Sequence, residues 1–253
     1  MKLKPNRPSE NLMWGVWLRH ARRFFSDGLT GSLKPRKGRL KPIPKSAMPD
    51  TDQPIPLLIL CGGGSTRMGR PKALLPAGGG ILLEHLAAHT APDRPLWLAD
   101  GGNHLPLPPR ALRLPDALDA LDGREGPLSA VLAALQHAQR HNLAGVFLIT
   151  CDTLIAPENM IARLQEAGAP DTGSILMLRT PETDYPLLAW WPAALADGLA
   201  HYLAAGSRRV MRWIAQTPAR PVPMPPAWQP YANFNTPGQY AAALVAWQAQ
   251  QAV

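Results

Sequence analysis

The stretch Leu-Cys-Gly-Gly-Gly-Ser-Thr-Arg-Met-Gly-Arg-Pro-Lys, residues 60–72, comes at the end of the apolar run Ile55–Cys61. A short apolar run that ends in glycines predicts a buried strand followed by a tight loop. Arg67 and Lys72 supply positive charge suited to a triphosphate and to the charge that develops as pyrophosphate leaves. The backbone N–H groups of the loop can form a concave nest for phosphate oxygens, and they belong to Gly62, Gly63, Gly64, Ser65 and Thr66.

The spacing of this loop excludes two common nucleotide-binding motifs. It contains neither Gly-x-x-x-x-Gly-Lys-Ser/Thr nor Gly-x-Gly-x-x-Gly, so P-loop ATPases and dinucleotide oxidoreductases fit poorly. A flexible glycine turn with two surface cations is the plainer alternative. The position directly after a buried strand favours the phosphate-binding interpretation.

Apolar runs alternate with helical stretches beyond this loop. Strands are expected at Ile55–Cys61, Leu96–Ala99, Val146–Thr150 and Ser174–Leu178. Helices are expected at Ile81–Thr90, Leu128–Gln139, Pro157–Ala167, Pro192–Ala204 and Pro237–Gln248, with an extended connection over Pro218–Pro230. The order predicts an α/β, Rossmann-like fold, a mostly parallel sheet with right-handed crossovers and helices on both faces. Ligands of such sheets bind beyond the carboxyl ends of the strands.

Asp152 lies at that edge, after the strand Val146–Thr150. Magnesium prefers one or two carboxylates together with phosphate oxygens and waters, so one aspartate suffices in a nucleotide site. The alternative is that Asp152 caps the next turn.

The two adjacent tryptophans, Trp190 and Trp191, are expected to pack in the core. The alternative is that they line an acceptor pocket.

The positive charge of the chain is confined to its beginning. Of the formal net charge of +8, residues 1–50 carry 12 Lys/Arg and 3 Asp/Glu, and residues 51–253 carry 14 and 15. A neutral domain over residues 51–253 is not the charge pattern of a nucleic-acid-binding fold. The basic extension, residues 1–50, allows three interpretations: an amphipathic segment that docks on a membrane surface or a partner protein, a disordered tail, or translation that begins at Met48.

Cysteine and histidine usage points to a reducing compartment without a zinc site. Cys61 and Cys151 each end an apolar run, which favours buried free thiols over a disulfide or metal pair. The pairs His85/His89 and His137/His141 are four residues apart on predicted helices, where a solvated helix face is the expected role. The start of the chain shows no secretory pattern and no apolar run is long enough to span a membrane, so a cytoplasmic location is expected.

The glycine loop resembles that of the nucleotidyltransferase superfamily, which contains molybdenum cofactor guanylyltransferases, cofactor cytidylyltransferases and sugar-nucleotide pyrophosphorylases. The resemblance extends over residues 55–248 and implies the nucleotide-diphospho-sugar transferase-like fold. Its further segments are Gly126–Ala130, Val146–Asp152, Tyr185–Ala189, Leu203–Val210 and Asn233–Pro237. The last two resemble the Leu-x-x-Gly-x-Arg-x-Val helix and the Asn-x-Asn-Thr-Pro segment of the guanylyltransferases. Pro71-Lys72 is closer to the cytidylyl and sugar branches, Cys61 stands where alanine is usual, and Leu154 stands where proline is common.

The resemblance implies a role for each site residue. Arg67, Lys72 and Asp152 are the catalytic candidates, and Asp152 is the ligand of Mg²⁺. The nucleotide-binding candidates are Leu60, Cys61, Gly62, Gly63, Gly64, Lys72, Asn103, Asp116 and Asp152. Two choices stay open, between Asp100 and Asn103 after the second strand, and between Asp116 and its neighbours Asp119 and Asp122.

The implied reaction is transfer of GMP from GTP to the terminal phosphate of molybdopterin. GTP and molybdopterin are then the substrates, and molybdenum cofactor insertion chaperones or apo-molybdoenzymes are the expected protein partners. Transfer of CMP to the same cofactor, or of a nucleotide to a sugar phosphate, is the alternative chemistry. An alternative of another class is a catalytically silent module that binds and delivers nucleotide or cofactor.

Overall fold

The computed structural model describes residues 54–62, 68–117, 126–170 and 173–251. The basic extension lies outside these ranges, so the three interpretations of residues 1–50 stay predictions. Gly63, Gly64 and Arg67 of the glycine loop also lie outside the described residues, as do Asp119 and Asp122.

The described residues form one seven-stranded sheet and one small two-stranded sheet. The strands are β1 (Leu57–Leu60), β2 (Pro76–Ala77), β3 (Gly80–Ile81), β4 (Leu96–Ala99), β5 (Ala111–Arg113), β6 (Gly145–Thr150), β7 (Ile175–Arg179), β8 (Asp184–Pro192) and β9 (Ala219–Pro223). The large sheet has the order β5-β4-β1-β6-β8-β7-β9, and β2 pairs with β3. Only β8 runs antiparallel to its neighbours in this sheet.

Helices cover both faces of the large sheet. They are α1 (Leu82–Ala88), α2 (Pro127–Arg140), α3 (Pro157–Glu166), α4 (Ala196–Ala204), α5 (Val210–Ile214) and α6 (Pro237–Gln251). Side chains of α1, α3 and α6 share one buried cluster, and those of α2, α4 and α5 share the other. Along β1, Leu57 and Ile59 enter the first cluster whereas Leu58 and Leu60 enter the second, because successive side chains of a strand point to opposite faces. The predicted fold class is confirmed. None of the helices in the described ranges is long and apolar enough to cross a membrane.

Two local predictions were only partly right, because proline was given the wrong role. Pro192 was expected to open a helix, but it ends β8, and α4 starts four residues later after a short 3-10 turn. The stretch Pro218–Pro230 was expected to be an extended connection, but it contains β9 and a 3-10 helix over Pro226–Tyr231. Strand β9 tolerates Pro221 and Pro223 because it lies at the edge of the sheet, where one side of the backbone needs no partner.

His85 was expected on a solvated helix face and is instead buried, whereas His89 is exposed. The His85 ring packs edge-on against Trp247, with centroids 4.9 Å apart, and its Nδ1 lies under Gly78. Burial, followed by the neighbouring His89, lowers the pKa of His85 to about 4. The residue is therefore a neutral core histidine between α1, the β2–β3 turn and α6.

Candidate active site

The carboxyl ends of the two central strands lie side by side. Leu60 of β1 pairs with Thr150 of β6, and the N–H of Cys151 donates to the carbonyl of Leu60 at 3.1 Å. Gly62 and Asp152 follow these residues, so both lie at the edge where ligands of parallel sheets bind. The order of the elements along the sequence predicts both positions.

Lys72 joins Asp152 at this edge. Its Nζ lies 3.3 Å from Oδ2 of Asp152 and donates to Oδ1 of Asn235 at 2.8 Å. The lysine opens a short 3-10 turn, in which the N–H of Leu75 donates to its carbonyl at 3.0 Å. Only 14% of the Lys72 side chain is exposed, so its position is set by these contacts rather than by solvent.

Asp152 is held through both its side chain and its backbone, and its carboxylate still reaches solvent. The hydroxyl of Thr150 donates to Oδ1, and the backbone carbonyl of Asp152 accepts from the N–H of Phe234 at 2.9 Å. The side chain is 27% exposed. An oriented, partly accessible carboxylate with a lysine beside it can bind a cation and a phosphate group together.

Asn233 and Asn235 belong to the same cluster. Nδ2 of Asn235 donates to Oδ1 of Asn233 at 3.3 Å, and the N–H of Asn235 donates to Gln239 at 2.8 Å. The segment Asn233–Pro237 resembles that of the guanylyltransferases, but neither asparagine was predicted as a site residue. The spacing of two asparagines before a helix start was the signal that could have placed them in the site.

A second loop at this edge follows β4, on the other side of β1. Asp100 is 3% exposed, and its Oδ1 and Oδ2 accept from the N–H groups of Gly102 at 3.2 Å and Leu105 at 3.0 Å. Asn103 is exposed, and its Nδ2 donates to the carbonyl of Asp100 at 2.6 Å. A β-carbon built on Gly101 would lie 3.5 Å from Cα of Gly62, so this loop, residues 100–105, contacts the glycine loop.

Asp116 is half-buried and follows β5, the strand next to β4. Since β5 is parallel to β4, Asp116 lies at the same edge but at its outer end. The N–H of the next residue, Ala117, donates to the carbonyl of Ser129 at 3.4 Å, which ties this segment to the start of α2. The structure thus brings Lys72 and Asp152 into direct contact, whereas Asp116 and Asn103 approach from neighbouring strands.

The two cysteines, Cys61 and Cys151, directly follow β1 and β6 at the carboxyl edge of the sheet. Both are free and buried, as the sequence favoured. A hydrogen bond with Cys151, then burial, and then the charges of Cys151, Asp100 and Asp152 raise the pKa of the Cys61 thiol well above its ordinary value. Cys61 therefore stays a neutral thiol between the two acidic loops.

Tyr185 borders the site as well, because antiparallel β8 begins at the edge where its neighbours end. Burial raises the pKa of its phenol, a hydrogen bond with Thr180 opposes that change, and the charges of Glu182 and Asp152 add to it. The phenol is therefore a neutral, half-buried group beside Asp152.

Trp190 and Trp191 lie further along β8. Both are fully buried, on opposite faces of the sheet, and do not line an acceptor pocket.

Comparison with known proteins assigns the family. Residues 57–220 match the model of the MobA-like NTP transferase domain. The molybdenum cofactor guanylyltransferase of Rhizobium meliloti is 35% identical over 191 residues, which cover 72% of this chain and 87% of that protein. The guanylyltransferase of Rhodopseudomonas palustris strain HaA2 is 33% identical over 205 residues, 79% of this chain and 94% of that protein.

Solved structures agree on the fold. Molybdopterin-guanine dinucleotide biosynthesis protein A from Archaeoglobus fulgidus has a TM-score of 0.59 at 18% identity, covering 79% of this chain and 100% of that one. The 2-C-methyl-D-erythritol 4-phosphate cytidylyltransferase from Thermus thermophilus has a TM-score of 0.51 at 16% identity, covering 75% and 97%. The chain therefore belongs to the MobA-like NTP transferase domain family and is a nucleotidyltransferase of the molybdenum cofactor guanylyltransferase type.

Proposed function

We propose that this enzyme transfers GMP from GTP to the terminal phosphate of molybdopterin and releases pyrophosphate. The observation that carries the proposal is the contact of Lys72 with both Asp152 and Asn235, next to Gly62 at the carboxyl edge of the sheet. The names of the relatives at 33–35% identity support guanylyl transfer as the specific reaction.

The reaction needs positioning and charge neutralisation more than acid–base catalysis. A phosphate oxygen of the acceptor attacks the α-phosphorus of the nucleotide, and the bond from the α-phosphorus to the bridging oxygen breaks, so pyrophosphate leaves with that electron pair. The nucleophile is already an anion, and a strong general base is not required. Lys72, in contact with Asp152, would neutralise the charge that develops on the leaving pyrophosphate.

The site suits a magnesium ion. Asp152 offers a carboxylate that is partly accessible, and Nζ of Lys72 links it to the amide oxygen of Asn235, whose Nδ2 donates to the amide oxygen of Asn233. Oxygen ligands of this kind, completed by phosphate oxygens and waters, are what Mg²⁺ prefers in proteins. When bound at Asp152, the ion would neutralise phosphate charge. The protein's own contribution is to hold that carboxylate through Thr150 and Lys72.

The test is transfer by the purified full-length chain with Mg²⁺, molybdopterin and each nucleoside triphosphate in turn, with pyrophosphate release as the readout. GTP should be the preferred donor, and the product should be the guanine dinucleotide form of the cofactor. Preference for CTP would assign the chain to cytidylyl transfer. Turnover only with a sugar phosphate as acceptor would contradict the role of molybdopterin. A chain that binds GTP without releasing pyrophosphate with any acceptor would contradict transfer altogether.

A further inference from the structure

The entry of the chain into α6, residues 233–240, contacts both members of the Lys72–Asp152 pair. The N–H of Phe234 donates to the backbone carbonyl of Asp152 at 2.9 Å. The next residue, Asn235, accepts from Nζ of Lys72 through its Oδ1 at 2.8 Å. Two adjacent residues of this segment are therefore bonded to the backbone of Asp152 and to the side chain of Lys72.

The first turn of α6 fixes Asn235 through a reciprocal pair of hydrogen bonds. Oε1 of Gln239 accepts from the backbone N–H of Asn235 at 2.8 Å, and the N–H of Gln239 donates to Oγ1 of Thr236 at 3.2 Å. In the usual capping box, the glutamine or glutamate of the first turn returns to the N–H of the capping residue itself. Here it reaches one residue further back, to the residue whose side chain binds Lys72. The cap of α6 therefore orients a residue of the site.

A second contact joins α6 to the segment that follows Lys72. The hydroxyl of Tyr240 donates to the carbonyl of Pro76, the first residue of β2. The ring of Tyr240 packs against that of the fully buried Phe234, with centroids 4.9 Å apart. Burial raises the pKa of the Tyr240 phenol, so the hydroxyl keeps the proton that it donates. The same turn of α6 thus holds Asn235 and the backbone close to Lys72.

Lys72 needs such support because its side chain is long. A lysine side chain has several rotatable bonds, and holding its ammonium in one place costs conformational entropy. Oδ2 of Asp152 and Oδ1 of Asn235 hold this ammonium. An acceptor whose own backbone is fixed restricts the ammonium more than a mobile one does. The bond from Asn235 to Gln239 therefore contributes to the preorganisation of the positive charge.

We propose that Gln239 and Tyr240 are positioning residues of the transfer reaction, which fix Asn235 and the segment after Lys72 so that the ammonium stays beside Asp152. This inference rests on the proposed function, since it concerns the lysine assigned to the leaving pyrophosphate. Gln239 acts through Asn235 and Tyr240 acts through the backbone of β2, so neither is a catalytic residue. A cap that only stabilises α6 is the alternative role.

The first test is the kinetics of Gln239→Ala in the full-length protein. Loss of one hydrogen bond should lower kcat about three- to tenfold. The KM for GTP should stay within about twofold, because Lys72 acts mainly in the transition state. Gln239→Glu keeps an oxygen acceptor and should restore kcat. The matched control is Gln248→Ala, which removes another exposed glutamine of α6 and should leave both constants at wild-type values.

A double-mutant cycle separates positioning from a purely structural role. In the Lys72→Ala background, Gln239→Ala should change the single-turnover rate by less than about twofold, because the group that Gln239 positions is gone. A residue that only stabilises α6 would lower the rate by the same factor in both backgrounds.

The reactivity of Lys72 reports its position without any turnover. Lys72 is the only lysine of residues 51–253, and the lysines of residues 1–50 provide an internal reference. An amine-acylating reagent, with the modified peptides measured by mass spectrometry, should label Lys72 at least about threefold faster in Gln239→Ala, because the loosened amine is less shielded. Gln239→Glu and Gln248→Ala should label at the wild-type rate, and Tyr240→Phe should fall between wild type and Gln239→Ala.

The inference is overturned if folded Gln239→Ala and Tyr240→Phe keep the wild-type kcat and labelling rate. It is equally overturned if Gln239→Ala lowers the rate by the same factor with and without Lys72. Should Gln239→Ala fail to fold, Tyr240→Phe carries the same comparison against Gln248→Ala.

The labelling experiment also separates this inference from the proposed function. If no acceptor supports turnover but Gln239→Ala still accelerates the labelling of Lys72, the reaction is wrong and the placement of Lys72 by α6 stands. If turnover with molybdopterin is normal and neither kcat nor labelling responds to Gln239 or Tyr240, the reaction stands and the positioning role is wrong.

Discussion

The two edges of the sheet each hold a salt bridge, and the two pairs are built differently. At the amino edge, Arg94 meets Glu158 with two parallel contacts, Nε to Oε1 at 2.7 Å and Nη2 to Oε2 at 2.9 Å. The remaining groups are also engaged, since Arg94 donates to the carbonyl of Ile55 and Glu158 accepts from the N–H of Ala91. At the carboxyl edge, Lys72 and Asp152 share a single 3.3 Å contact.

The difference separates stability from function. The planar guanidinium of Arg94 uses its donors in one fixed geometry, which suits a structural pair. The ammonium of Lys72 is a compact charge with rotatable donors, and its partners Asp152 and Asn235 lie on loops at the ligand edge. We expect phosphate oxygens of a bound nucleotide to replace those partners. We therefore expect substitutions at the carboxyl edge to affect turnover. Substitutions at the amino edge should instead affect the free energy of unfolding.

The largest effect is expected at the carboxyl edge. Lys72→Ala and Asp152→Ala should each reduce turnover by roughly 10²–10³-fold, on the order of 3–4 kcal/mol, because each removes one preorganised electrostatic contact. Lys72→Ala should act mainly on kcat, since charge moves to pyrophosphate in the transition state. Asp152→Ala should raise the Mg²⁺ requirement and be partly rescued by excess metal. The measurement is single-turnover transfer from α-labelled GTP at several Mg²⁺ concentrations.

The two substitutions should be less than additive, because they act on the same phosphates. Unchanged circular dichroism spectra serve as the control for folding. Near wild-type rates in both folded variants would show that the Lys72–Asp152 pair at the carboxyl edge does not take part in catalysis.

At the amino edge, Arg94→Gln should lower the free energy of unfolding by about 1–3 kcal/mol, since Glu158 and the carbonyl of Ile55 lose charged hydrogen bonds. Urea denaturation measures the change. Transfer rates and the KM for GTP, taken well below the melting temperature, should stay at wild-type values. A loss of turnover as large as that of Lys72→Ala would show that the amino edge is not purely structural.

His85 is a third buried polar group and lies at neither edge of the sheet. It should affect the pH dependence of stability and not turnover. His85 has an ordinary pKa of 6.5 and a folded-state pKa of about 4, so between these values the unfolded chain binds more protons. Stability should therefore be full above pH 6.5 and decline as the pH falls toward 4. Thermal melting from pH 7.5 to 4.5 should show a shallower decline in His85→Gln than in wild type. Parallel profiles would assign the acid sensitivity to other groups, Glu158 among them.

The fold and the phosphate side of the site follow from local sequence, whereas the loop packing does not. Apolar runs and the position of Gly62 and Asp152 after them define strand ends, and parallel strands bring such ends to one edge. The contact of Lys72 with Asn235 joins residues 163 positions apart, and a single sequence gives no physical signal for that distance. The burial of His85 depends on Trp247, equally far along the chain.

The prolines also show that local sequence does not always determine the structure of a segment. Pro157 opens α3 as expected, because proline suits the first turn of a helix. Pro192 has the same chemistry and instead ends β8. The outcome depends on sheet pairing, here between Pro192 and Gly145, which local propensity does not encode.

The smallest effect is expected at Cys61, which lies between the glycine loop and Asp152 without carrying charge. Hydrogen bonding with Cys151 and burial raise the pKa of its thiol, so little thiolate is present near neutral pH. Cys61→Ala should therefore change kcat and the KM for GTP by less than about threefold. The free energy of unfolding should change by about 1 kcal/mol, the range for losing one small buried group.

Chemical modification of the native wild type tests the same expectation. A thiol-specific reagent at pH 7.5 should modify Cys61 far more slowly in the native protein than in urea, where both cysteines react. Rapid modification of the native enzyme, or a turnover loss in Cys61→Ala approaching that of Asp152→Ala, would place a reactive thiol in the catalytic machinery. The carboxyl edge would then depend on more than the contacts of Lys72, Asp152 and Asn235.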